Sequence, residues 1–200
     1  MKTSPATGFA GAPARQVVGL AFLRLVGAWE LYLEEVFLRY MVGVRTSAGT
    51  SVVTPTSKVA RIEDAFSALA AAEGFAGTRY TSYLDWTNWK KVKQRAKAHF
   101  VAADPFRTTL HGNAKALVER AHHVRHRVAH PSKKTRATFN GIAVAYGAGN
   151  AAGKLPTGFM VGDLLVLAPN NLFPLPYRTQ PSIFEAYAQL FEDLGNGIAP

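Results

Sequence analysis

The sequence predicts an all-α helical bundle with one irregular, Gly/Pro-rich insertion near the C-terminus, and three observations carry that prediction. Leu117, Ala121, Val124 and Val128 recur at i, i+4, i+7 and i+11, the spacing of one apolar helix face. The run from about Arg15 to Val44 is apolar on most sides, as expected of a central bundle helix wrapped by neighbours or shared with a second subunit. From Gly147 to about Pro181, glycines, prolines and Asn170-Asn171 mark irregular structure, with a short extended piece expected at FMVGDLLVLAP.

The elements follow in order. Residues 1–14 read as a flexible leader and 15–200 as a single helical domain. The first helix spans roughly 40 Å at about 1.5 Å per residue. On it Glu30 and Glu34 lie four apart, as do Glu35 and Arg39, which reads as a polar edge with one ion pair in preference to a catalytic carboxylate pair. Thr46 to Ser57 is a loop, and KVARIEDAFSALAAAEG is a short helix closed by Gly74. The aromatic connection FAGTRYTSYLDW leads to Asp85, a candidate cap for the helix TNWKKVKQRAKAHF. The cations at 90, 91, 93, 95 and 97 spread over more than one face, so that helix is expected to be largely exposed. Trp86 and Trp89 are expected to pack against the bundle and not to stack on bases. Asp104-Pro105-Phe106 breaks the chain before the helix that begins near Asn113. Ser132 to Arg136 reads as a basic turn, ATFNGIAVAY as a short helix, and PSIFEAYAQLFEDLGNGI as a closing amphipathic helix with Pro181 near its start and Gly195 past its end.

Composition narrows the function. The absence of cysteine excludes a disulfide framework, a thiol nucleophile and Cys-based metal sites, and fits a reducing compartment. The net charge is +10, and it is concentrated: between Lys90 and Arg136 thirteen Lys/Arg face two acids, Asp104 and Glu119. All six histidines lie between His99 and His130. Such a block is the footprint of a polyanion, most often nucleic acid, with an anionic membrane or a solvated face as alternatives. Pro5, Pro13 and polar residues precede the first apolar run, and Arg24 interrupts it, so neither a signal peptide nor a transmembrane span is expected. The expectation is a soluble cytoplasmic protein.

The stretch Arg125-His126-Arg127-Val128-Ala129-His130 ends the apolar-periodic helix, and Pro131 disfavours helical geometry at His130. Arg125 falls on the flank of the apolar stripe and is expected to be partly buried. An Arg-x4-His signature, the apolar helix leading into it and the proline after it resemble HEPN domains (higher eukaryotes and prokaryotes nucleotide-binding), as does the long first helix with AWELYLEEVFLRYM. The Asp104-Pro105-Phe106 break and the closing PSIFEAYAQLFEDL helix are most similar to the RiboL-PSP-HEPN type. The likeness covers most of residues 15–197, and its specific part is six residues.

That resemblance implies a bundle that dimerises through the motif helix and a metal-independent endoribonuclease, in a toxin–antitoxin, phage-defence or RNA-processing setting, with RNA and an antitoxin or inhibitor protein as partners. No cofactor is implied. Arg125 would be the motif arginine and His130 the motif histidine; His126 stands where many members have asparagine. Ser132 stands where some toxins of the family carry a modifiable tyrosine, so control by tyrosine modification is not supported.

RNA is cut without a metal when its 2′-hydroxyl is deprotonated and attacks the adjacent phosphate. Imidazole suits the proton transfers, and a permanently charged guanidinium suits the phosphorane. His130 and Arg125 take these catalytic roles, with His126 beside them, while Arg120, Arg127, Lys133 and Lys134 are the candidate RNA-binding residues for flanking phosphates. A bland alternative has Arg125 pairing with Glu30 or Glu34 and His130 closing its own helix end. His122, His126 and His130 share one helix face, yet the first and third are about 12 Å apart along it, so one ion cannot take all three. Three functions remain open: a dimeric ribonuclease, a catalytically silent RNA- or partner-binding module, and a histidine-dependent metalloprotein. The insertion has two open roles, covering the cleft or receiving an inhibitor.

Overall fold

A computed structural model describes residues 11–76, 78–79, 84–109 and 112–200. The fold is all-helical: α1 (Ala12–Met41), α2 (Ile62–Ala72), α3 (Trp89–His99), α4 (Pro105–Thr109), α5 (Gly112–Ala129), α6 (Lys133–Ala145), α7 (Val161–Leu165) and α8 (Ile183–Ile198), with a 3-10 turn at Tyr177–Thr179. Among the described residues there is no strand, only an isolated antiparallel bridge between Val53 and Phe100. Two compact units emerge, one of Met1–Gly27 with Arg120–Gln189 and one of Ala28–Glu119 with Leu190–Pro200.

The first helix starts earlier than expected and also ends earlier. Residues 12–14, read as leader, are helical, because Pro13 sits in the first turn where its missing N–H has no intrahelical partner to lose. The remainder of the leader, residues 1–10, lies outside the described residues, as do Gly77 and Tyr80–Tyr83 of the aromatic connection. The helix stops at Met41 because Gly43 turns at φ +93°, a left-handed conformation that favours glycine. By length and composition alone α1 is apolar enough to cross a membrane, contrary to the sequence reading. In this fold much of its apolar surface is core: Phe22, Val26, Trp29, Leu33, Val36, Phe37, Tyr40 and Met41 are buried.

In the unit of Ala28–Glu119 and Leu190–Pro200, Phe37 is the hub. Its ring centroid lies 4.4 Å from Phe100, 5.0 Å from Phe106 and 5.3 Å from Trp86. Trp29 stacks on Phe191 at 5.2 Å, which seats the end of α8. Tyr40 donates to the Ile198 carbonyl at 2.8 Å, and burial pushes its hydroxyl up to about 12. Gly195 lies inside α8 and not past its end: the helix runs to Ile198, and the Gly195 carbonyl accepts a hydrogen bond from Tyr32 at 2.6 Å. A side chain there would meet the Tyr32 ring.

The carboxylates of α1 are structural. Glu34 accepts from Arg79 Nε and from Trp86 Nε1, each at 2.8 Å, while Glu35 accepts from Arg79 at 2.8 Å and from Arg39 at 2.9 Å. The Glu35–Arg39 pair read from the sequence is therefore present, and Arg79 and Arg39 hold the Glu35 carboxyl below its usual range. Both tryptophans of the basic segment are buried, as expected. The cap of α3 is Asn88, whose Oδ1 accepts from the amides of Lys90 and Lys91; Asp85 instead closes the turn before it through Thr87 and Asn88. Arg95 corrects the expectation of an exposed α3. It is only 6% exposed, bonds Glu73 at 2.6 Å and the Asp85 carbonyl at 2.9 Å, and lies 4.5 Å from the Trp86 ring. Arg107 likewise pairs with the fully buried Asp104.

In the other unit, Phe22 packs edge-on against Tyr187 at 5.4 Å, and Phe173 stacks on Tyr146 at 5.3 Å. The Tyr146 and Tyr187 hydroxyls meet at 2.6 Å in the core. FMVGDLLVLAP holds the short helix α7 and no extended piece, because Val161, Leu164 and Leu165 bury one helical face and Asp163 accepts the Met160 amide at 2.8 Å. Gly162 lets α7 meet the start of α1: a Cβ there would sit 2.1 Å from the Arg15 carbonyl oxygen, while Arg15 pairs with Asp163 at 3.3 Å.

Two stability tests follow from this packing. Glu34→Ala removes the acceptor of both Arg79 Nε and the Trp86 indole and should cost about 2–3 kcal/mol in urea unfolding; an unchanged midpoint would show that the pair contributes nothing. Burial holds His99 below the ordinary 6.5, and its Nδ1 is buried with no partner among the described residues. The unfolded chain therefore binds a proton below 6.5 that the native state resists, so this contribution is complete above that value and is lost as pH falls through it. His99→Gln should flatten the decline in unfolding free energy between about pH 7 and pH 5; an unaltered slope would assign the decline to other groups.

Candidate functional site

The Arg-x4-His stretch forms the last two turns of α5, in the unit that contains Arg120–Gln189. Val124 is fully buried there and Val128 half-buried, so the apolar stripe points into the unit and turns the opposite face outward. Opposite that stripe the histidines form a ladder in which His122 and His126 are half-buried and His130 is exposed, with ring centroids 5.0 Å apart for His122–His126 and 4.9 Å for His126–His130. Among the described residues no group of three or more His, Cys, Asp or Glu is arranged to hold an ion; the ladder offers imidazoles two at a time.

His130 is placed by its backbone. Pro131 ends the helix, and the His130 amide still bonds the His126 carbonyl at 2.9 Å. The His130 carbonyl accepts from the Ser132 amide at 2.9 Å and from the Thr135 hydroxyl at 2.6 Å. Ser132 then caps α6, accepting the Thr135 amide at 3.2 Å. The supposed basic turn is therefore the first turn of α6: Lys133, Lys134 and Arg136 are helical and exposed. The side chain of His130 is exposed on a clamped main chain.

Arg125 is half-buried, as its position on the flank required. Five residues along an α-helix place it roughly 140° around the axis from His130, so one chain does not present both on one face. His126 is the motif residue that joins His130. Arg120 lies over the Tyr146 ring at 5.8 Å, which gives it a packing role. Burial holds the Tyr146 hydroxyl above its ordinary range.

Arg127 faces a cleft of about 840 Å³ whose walls are α6 and residues 153–159 of the insertion. Arg136 and Lys154 line the same cleft, and no carboxylate does. The insertion that carries Lys154 was marked in the sequence, but Lys154 itself was not; a lone lysine among Gly153, Pro156 and Gly158 was the available signal. No family model matches the chain, and no curated protein or solved structure is significantly similar to it.

The clamp has a measurable strength. Ser132→Ala should destabilise the chain by about 1 kcal/mol in thermal unfolding, the usual loss for an N-cap hydroxyl; no change would mean that Thr135 alone holds the turn.

Proposed function

We propose that this chain is a metal-independent endoribonuclease of the HEPN type, acting as a homodimer, in which the 2′-hydroxyl of RNA attacks the neighbouring phosphate. The observation that carries the reading is the His126–His130 imidazole pair, 4.9 Å apart at a clamped helix end, with His126 half-buried and His130 exposed, beside a cationic surface. Imidazole titrates near neutrality, so one of the pair can accept the 2′-hydroxyl proton while the other delivers a proton to the departing 5′-oxygen. The 2′-oxygen bonds to phosphorus, the P–O5′ bond breaks, and a 2′,3′-cyclic phosphate remains.

Lys133, Lys134 and Arg136 open α6 with no acid in its first turn. Each works against the helix dipole by about 0.3–1 kcal/mol, a cost that bound phosphate offsets. Arg125, turned away from its own His130, serves the phosphorane of the site whose histidines belong to a second chain, which gives the dimer a chemical reason. RNA in the cytoplasm is the substrate, and a toxin or phage-defence role with a neutralising antitoxin is the setting that fits such an activity. The angle between Arg125 and His130 also favours a second reading, a non-catalytic RNA- or partner-binding module.

Cleavage of a mixed RNA pool in EDTA separates the two. Wild type should cut and leave cyclic phosphate ends, while His130→Ala and Arg125→Ala should each lose about 10²–10⁴-fold. Mixing the two variants should restore part of the activity, since one hybrid site then holds an intact arginine and histidine. Absence of cleavage by a folded dimer at any salt or divalent concentration would leave the binding module as the function.

A further inference from the structure

We infer that the cleft between α6 and residues 153–159 binds one or two nucleotides of single-stranded RNA next to the reacting phosphate, so that the insertion forms the substrate wall of the site. The inference rests on the ribonuclease reading for its substrate, and on the cleft itself for everything else. The volume of about 840 Å³ falls in the range of roughly 300–1,000 Å³ typical of small-molecule clefts, the scale of unpaired nucleotides and too small to admit a duplex.

Its cations come from three separate elements: Arg127 from α5, Arg136 from α6 and Lys154 from the insertion. Among the described residues none of the three is ion-paired, whereas Arg39, Arg61, Arg79, Arg95 and Arg107 all are. Three unneutralised charges around a cavity with no carboxylate leave a field that calls for an anion with several charged groups.

The rest of the lining is unsuited to an inorganic ion. Phe139 and Phe159 stack across the cleft floor with centroids 6.3 Å apart, and Phe159 is half-exposed, so a base has an aromatic face to meet. Asn140 and Thr157 add neutral hydrogen-bonding groups suited to a base edge or a ribose.

The loop wall is built. Asn150 Oδ1 accepts from the amides of Ala152 and Lys154, each at 3.0 Å, and the Asn150 amide bonds the Lys154 carbonyl at 3.0 Å. Gly153 and Gly158 take φ +68° and +77°, the left-handed values that let the loop turn back on itself, and the Phe159 amide closes on the Pro156 carbonyl. Lys154 is therefore held at the rim by its own main chain.

The test measures binding without cleavage, by fluorescence anisotropy of a labelled 2′-O-methyl oligouridine whose blocked 2′-oxygen cannot attack. For an approximately fourfold rise in salt, wild type should lose about sevenfold more affinity than the Arg136→Gln/Lys154→Gln variant, the share of two phosphate contacts. At low salt the same variant should bind at least about tenfold more weakly, while Lys97→Gln on α3 should bind as wild type does. Phe159→Leu should weaken binding by about tenfold with the salt dependence unchanged. Arg136 and Lys154 are exposed, so these chains should melt with wild-type cooperativity.

Equal affinity and equal salt dependence of wild type and the double variant would overturn the cleft, and so would a preference for a duplex of the same sequence. Cleavage lost in His130→Ala but unaffected by the cleft variants would refute the cleft and leave the ribonuclease standing. Cleft-dependent binding with no cleavage of natural RNA would do the reverse.

Discussion

A helix of thirty residues that is apolar on most sides must be covered on most sides, and α1 imposes that demand on both units. Phe22 collects Phe184 and Tyr187 in one. In the other, Trp29 collects Phe191 and Phe37 collects Trp86, Phe100 and Phe106. Removing aromatic surface from water contributes about 25 cal/mol per Å², so these contacts stabilise the packing of α1. Glu34 on α1 is half-buried and matched: Arg79 and Trp86 supply donors to its two oxygens.

The same need for matching divides the positive charge. Arg95 and Arg107 belong to the basic block by sequence position, yet Arg95 is spent on Glu73 and the Asp85 carbonyl and Arg107 on the buried Asp104. What remains exposed is charge on α3 (Lys90, Lys93 and Lys97), on the first turn of α6 and, outside the block, Lys154 of the insertion, with Arg127 half-buried at the end of α5. The count of thirteen Lys/Arg in the basic block thus overstates the cations open to a partner and blurs where they lie. The loop of residues 153–159 changes its meaning once Lys154 is seen opposite Arg136. A Gly/Pro-rich stretch that reads as an irregular insertion has a defined backbone beside α6.

Local rules are broken where the proposed site lies. α6 begins with cations against its own dipole, three histidines lie along one face with tilted rings, and an exposed histidine ends a helix with its carbonyl accepting two hydrogen bonds. Consistency across propensity, charge and packing is the ordinary state of a folded chain, and departures concentrate where function imposes another demand. The ion-paired arginines in the Ala28–Glu119 unit follow the rule, and the cations around the cleft depart from it.

Periodicity alone determined a good deal. Helices α1, α2, α3, α5 and α8, the stop at Gly74, the burial of Trp86 and Trp89 and the half-buried flank position of Arg125 were legible, because burial on one face writes a 3.6-residue pattern into the chain. The Arg-x4-His stretch and the histidine face were legible for the same reason. Tertiary structure decided the rest. Helix α7 was read as extended, because five residues are too few to show a period and only the contact of Gly162 with Arg15 reveals the packing. The first turn of α6 was read as a turn, because its charges hide a capping box that Ser132 and Thr135 complete in space. Arg95 was placed in water, because a sequence does not show that Glu73 and Trp86 will surround it. Spacing is a local property and survives in the sequence; charge neutralisation and cleft walls depend on residues far apart in the chain, and only the folded molecule brings them together.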